Sequence, residues 1–148
     1  MNLRTFLFST MLGVAASGSL AGEAGIPVVV QDAFARAATP TAKAGSVYLV
    51  LENTGETERL VVGVTSSAAM RAEFHTHAMQ DGVMSMQEMD GPIVIPVGGS
   101  FAFERGGDHI MLMGLTMRFV DGVMVPLTLE FADGATLDVE AIVDLNRE

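Results

Sequence analysis

The chain has 148 residues and a formal net charge of −10, from 18 acidic against 8 basic side chains. So acidic a domain repels phosphate backbones, which argues against nucleic acid and anionic membrane surfaces as partners. Zero cysteines exclude a disulfide framework, a thiolate nucleophile, Cys-ligated zinc or iron–sulfur sites and a Cys-based blue-copper centre.

Residues 1–21 read as a secretory signal peptide. Arg4 supplies the positive n-region, and residues 6–16 are apolar or small, too short a run to span a bilayer. Ser19-Leu20-Ala21 offers the small residues that cleavage requires, so the mature chain is expected to start at Gly22. A lipid-anchored form would need a cysteine at that point, and none is present. Loss of residues 1–21 removes Arg4 and no acid, leaving seven basic against 18 acidic residues, a net −11 over 127 residues. The expected destination is the periplasm. The 148-residue chain is 49% hydrophobic, and residues 22–148 are expected to form one folded domain that must hold together by its core alone.

From Ile26 onward the chain is a series of short β-like runs. Residues 26–31 are apolar and β-branched, and 46–52 end in the turn signal Asn53-Thr54-Gly55. Residues 59–65 follow. Runs around 72–76 and 83–88 flank Asp81-Gly82, a tight-turn dipeptide. Residues 93–97 and 100–104 meet across Gly98-Gly99, and 109–115 come after Arg105-Gly106-Gly107-Asp108. Leu127, Leu129 and Phe131 alternate with polar residues, as do Leu137, Val139 and Ala141, with Asp133-Gly134 between them. Residues 32–38 and 66–71 could each hold a helical turn. About nine short strands in this length predict an all-β antiparallel sandwich.

The chemistry is concentrated in one window. All three histidines, His75, His77 and His109, and eight of the 11 methionines fall between Met70 and Met117. Neutral imidazole and thioether together suit Cu(I), and suit zinc, calcium or magnesium poorly. On a strand, residues i and i+2 leave the same face, so His109-x-Met111 can present two ligands at once. His75 and His77 share that relation, as do Met84 and Met86 beyond the Asp81-Gly82 turn. Met113 and Met117, beside Leu112, Leu115 and Phe119, read as core. Met70 reads as core or surface, and Met124 lies outside the cluster.

The runs Glu73-Phe74-His75-Thr76, Gly82-Val83-Met84-Ser85-Met86, residues 95–100 and Gly106-Gly107-Asp108-His109-Ile110-Met111 closely resemble the periplasmic copper chaperone A (PCuAC) family. Asp32 to Arg36, Tyr48 to Asn53 and Leu127 to Phe131 extend the resemblance over nearly the whole mature chain. The family motif is a His, a spacer, a Met, a longer spacer and a His-x-Met. Here ten residues separate His75 from Met86 and twenty-two separate Met86 from His109. The second spacer is one residue longer than usual, in a stretch containing the Gly98-Gly99 turn, and Asp108 stands where an aromatic is common.

The resemblance implies a cupredoxin-like β-sandwich and a Cu(I) site built from His75, Met86, His109 and Met111. Whether His77, Met79 or Met84 lends a further ligand is left open by the sequence. The resemblance also implies delivery of copper to the copper site of a respiratory cytochrome c oxidase, or to a thioredoxin-like copper-handling protein. Two other readings of the residues stay open: a metal-free β-sandwich adhesion or assembly module, and an electron-carrying cupredoxin, disfavoured by the lack of Cys. No nucleophile–base pair or carboxylate pair is brought together by the sequence, so no enzyme is expected.

Overall fold

Alternation of buried and exposed side chains sets the architecture. In the strand Met124–Phe131, Val125, Leu127, Leu129 and Phe131 point inward while Met124, Pro126 and Glu130 face solvent. The computed structural model describes residues 25–148; the expected signal peptide lies outside the described residues. Among these there are ten strands and no helix. They are β1 (Val28–Arg36), β2 (Ala44–Asn53), β3 (Arg59–Thr65), β4 (Ala69–Gln80), β5 (Val83–Glu88), β6 (Ile93–Ile95), β7 (Ser100–Phe103), β8 (His109–Leu115), β9 (Met124–Phe131) and β10 (Thr136–Val143).

The strands are hydrogen-bonded in the order β5-β4-β8-β2-β1-β10-β9-β3-β6, with β7 also on β2. The order carries the sheet round onto itself, and β3 packs against β4 and β6 against β7. Phe74, Ile110 and Leu112 from one side meet Val61, Leu127 and Leu129 from the other in one buried core. The all-β expectation holds, with two corrections. There are ten strands rather than nine, and β1 pairs with β10 in parallel through Phe34↔Ile142 and Ala35↔Val143. Neither candidate helical turn forms. Residues 32–36 continue β1 past a bulge between Gln31 and Phe34, where Asp32 takes a φ of 56°. Residues 69–71 already belong to β4.

Two local features position the later chemistry. Asp81 and Gly82 both have positive φ, 50° and 77°, as a two-residue type I′ hairpin requires. They fold β5 back on β4 in register from Gln80↔Val83 to His75↔Glu88. On the other side, β7 and β8 lie end to end along β2. Leu49 pairs with Phe103 and Val47 with Ile110. Residues 104–109 therefore occupy the space opposite Tyr48 alone, and the chain must bulge outward there.

The turn after β2 is held by Asn53, which is 1% exposed. Its Nδ2 donates to the carbonyls of Thr57 (2.8 Å) and Ile95 (3.1 Å), and its Oδ1 accepts from the Gly55 amide (3.0 Å). Asn53→Ala removes all three bonds and strands the Ile95 carbonyl. It should cost about 2–3 kcal/mol, read as a lower urea midpoint at unchanged m-value.

Candidate metal centre

β8 is two-faced. Ile110 and Leu112 enter the core, while His109, Met111 and Met113 lie on the opposite side of the sheet. The β4–β8 register sets His75 directly opposite His109 and Glu73 opposite Met111. The β4–β5 register sets Met86 opposite His77 and Met84 opposite Met79. β2 brings Ser46 opposite Met111. Three strands thus present every histidine of the chain on one outer face, with Met86 and Met111 beside them.

The histidines are close together. The His109 ring centroid lies 6.0 Å from that of His75 and 5.3 Å from that of His77. His109 is 3% exposed although it points away from the core. Tyr48, 6.3 Å away between centroids, covers it and is itself backed by Phe34 at 5.1 Å. The guanidinium of Arg147 stacks over Phe34 at 4.0 Å and pairs with Asp32. A second small buried layer, separate from the core, therefore seals one side of the site.

Hydrogen bonds decide which ring atoms are free. Nδ1 of His77 and Nδ1 of His109 each lie 3.1 Å from the Gly107 carbonyl. A carbonyl only accepts, so both Nδ1 atoms carry the proton and both Nε2 atoms present lone pairs. His75 is turned the other way. Its Nε2 donates to the Glu73 carboxylate at 3.0 Å, which leaves Nδ1 bare, buried and without a hydrogen-bond partner. Glu73 is in turn held by Arg71. A histidine oriented by a carboxylate or carbonyl, with its other nitrogen bare, is the usual state of a metal-ligating imidazole. Burial is the main cause of a His109 pKa below the ordinary imidazole value. Its Gly107 bond opposes that shift, while His77 and His75 nearby add to it.

The thioethers differ from one another. Sδ of Met111 accepts a long bond from the Ser46 hydroxyl at 3.7 Å and borders a cleft of about 220 Å³ lined by Tyr48 and Arg105. Met86 is on the same face but 51% exposed, and β4 lies between its strand and β8. At ordinary strand spacing that puts the two strands about 10 Å apart, a gap that Met86 must reach across. No group of three or more His, Cys, Asp or Glu among the described residues is arranged to hold a metal.

The structure brings His75, His109 and Met111 together directly and places Met86 at their solvent edge. It corrects the reading of Met113 as core. Met113 is partly buried on the outer face, between Ala44 and Arg71, whereas Met117 does pack on the core. Sequence reasoning missed Glu73, Ser46, Tyr48 and the Gly107 carbonyl. The alternation Glu73-x-His75-x-His77 was a usable signal for the first, since all three leave one face of β4.

Several known proteins are similar to this chain. A family model described as "Putative lipoprotein LpqE-like" matches residues 28–143. "Putative lipoprotein Lxx21020" of Leifsonia xyli subsp. xyli is 38% identical over 126 residues, covering 84% of this chain and 74% of that protein. The Cu(I) form of DR1885 from Deinococcus radiodurans is 34% identical, with a TM-score of 0.65 over 86% of this chain and 85% of that one. The copper-bound PCuAC domain of PmoF2 shares the fold, with a TM-score of 0.64 at 18% identity over 80% of this chain and 93% of that one. The chain belongs to the LpqE-like family, of the PCuAC type.

Proposed function

We propose that this protein is an exported copper carrier that holds Cu(I) through His75, Met86, His109 and Met111. It would release the ion to the copper site of a respiratory oxidase subunit or to a thioredoxin-like copper-handling protein. The observation that carries the reading is the bare Nδ1 of His75, buried without a partner opposite His109 on the face that also bears Met111. Two imidazole nitrogens and two thioethers form a neutral, soft set that suits a monovalent copper ion and disfavours zinc or calcium. The likeness to Cu(I)-bound DR1885 supports the same choice of metal.

The uneven burial of the set fits a carrier. His75 and His109 are held rigidly, while Met86 stands half in solvent, where a partner's ligand can replace it. The chain's charge of −10 draws cations inward and favours docking on a basic surface. No helix among the described residues is long and apolar enough to cross a membrane. In protein recovered from the cell envelope, mass spectrometry should find Gly22 at the N-terminus; an intact Met1 would defeat the export reading.

Substitution separates ligand from neighbour. Met111→Leu conserves volume and should cost the apo fold less than about 1.5 kcal/mol. It should weaken Cu(I) binding by about tenfold or more and lower copper-induced thermal stabilisation by about 1.4 kcal/mol for each tenfold lost. Met113 is four residues along β8 from His109, about 13 Å, so Met113→Leu should leave affinity nearly unchanged. Competition against a colorimetric Cu(I) chelator under reducing conditions reads both variants. Equimolar Zn(II) should not displace the copper, and displacement would remove the chemical basis of the reading.

The depressed pKa of His109 has a definite sign. The unfolded chain takes up a proton at this residue near the ordinary imidazole value of about 6.5, before the native state does. The native apo-protein should therefore keep this stability above about pH 6.5 and lose it progressively as pH falls towards the lower native pKa. Calorimetry between neutral and mildly acidic pH should show that loss, and His109→Gln should flatten it.

A further inference from the structure

The tip of the β4–β5 ribbon carries two thioethers, Met79 and Met84, that the proposed centre leaves idle, beside a third, Met86, that it uses. Met79 stands directly opposite Met84, and Met86 lies two residues further along β5. Strand alternation puts all three on the face that bears His75 and His109. Directly opposed side chains have Cβ atoms about 5 Å apart and diagonal ones about 7 Å, so three long thioethers there can converge on one point. All three are exposed: Met79 64%, Met84 59% and Met86 51%. None packs on the core, whereas Met89 and Met117 do. Gap-filling, the ordinary use of methionine, does not account for them.

We propose that Met79, Met84 and Met86 form an outer, all-thioether site that captures Cu(I) and passes it inward. The inference rests on the copper-carrier reading and adds a second site to it. Three neutral sulfurs accept a soft monovalent cation and offer little to zinc, calcium or magnesium. Met86 belongs to both sets, which makes transfer a stepwise ligand exchange. Met79 and Met84 release their Cu–S bonds as Nδ1 of His75 and Nε2 of His109 form Cu–N bonds and Sδ of Met111 forms a Cu–S bond, with Met86 attached throughout. The ion remains Cu(I), so no electron moves. Both receiving nitrogens already carry bare lone pairs, so no proton has to leave. Direction follows burial, from a solvent-facing rung to a histidine that is 3% exposed.

The test titrates the purified protein, labelled with ¹³C at its methionine methyls, with Ag(I). This ion shares the charge and sulfur preference of Cu(I) but does not change oxidation state. The Met86 and Met111 methyl signals should move with the first equivalent. Those of Met79 and Met84, left as a two-sulfur pair once Met86 is engaged inward, should move with a second equivalent bound at least about tenfold more weakly. The double variant Met79→Leu/Met84→Leu alters only exposed side chains and should keep its fold. It should retain the first equivalent and lose the second. Met79 and Met84 signals that stay still while Met86 and Met111 saturate would overturn the outer site and leave the inner one standing. Movement at Met79 and Met84 with Met111 silent would support the outer site and refute the inner ligand set.

Discussion

One backbone oxygen keeps the metal-facing side of the sheet in order. The Gly107 carbonyl accepts from Nδ1 of both His77 and His109, so two rings on different strands share one tautomeric state and one orientation. Displacing that oxygen would leave the buried His109 N–H unpaired, a penalty of about 1–3 kcal/mol. It would also free the ring to turn. The oxygen is where it is because the chain leaves β2 after Phe103 and rejoins it at Ile110, which obliges the intervening residues to loop over the end of β8. A backbone detour in the sandwich is thus what aims the imidazoles.

The two halves of the site have different mechanical character. β8 is clamped between β4 and β2, with Ile110 and Leu112 fully buried beneath it. His109 and Met111 therefore sit on a rigid support, and the Phe34–Tyr48 layer fixes one flank. Among the described residues β5 has a neighbour on one side only, and most of its side chains are exposed. A carrier needs both properties, a preorganised seat for the ion and a ligand within reach of another molecule. On the reading proposed above, an interior strand would supply the first and an edge strand the second, without a moving part.

Much of this was legible beforehand because it rests on short-range rules. Period-two alternation located the strands, Asp81-Gly82 located the hairpin, and the i, i+2 relation put His109 and Met111 on one face. What the sequence does not show depends on contacts between distant segments. The parallel β1–β10 pair joins the two ends of the domain and leaves no local mark. The bulge at Asp32 looked like a helical turn because alternation breaks there. Met113 adjoins Leu112, which suggests burial, but in a strand the adjacent residue points the opposite way; Leu115 returns to the core beyond Gly114, whose φ is 67°. The tautomers of the three histidines could not be read at all, since they follow from Gly107 and Glu73 meeting the rings in space.

The exposure that lets the ribbon's thioethers exchange a ligand also opens them to oxygen chemistry. Met79, Met84 and Met86 are each more than half exposed, while Met117 is packed against the core. A peroxide reaching the protein meets the exposed sulfurs first and converts them to sulfoxides, polar groups whose hard oxygen is a poor partner for monovalent copper. The sandwich beneath would stay folded and give no outward sign of the loss. Methionine sulfoxide reductases reverse the lesion, so the working state of this ribbon is tied to the repair capacity of the compartment in which the protein resides.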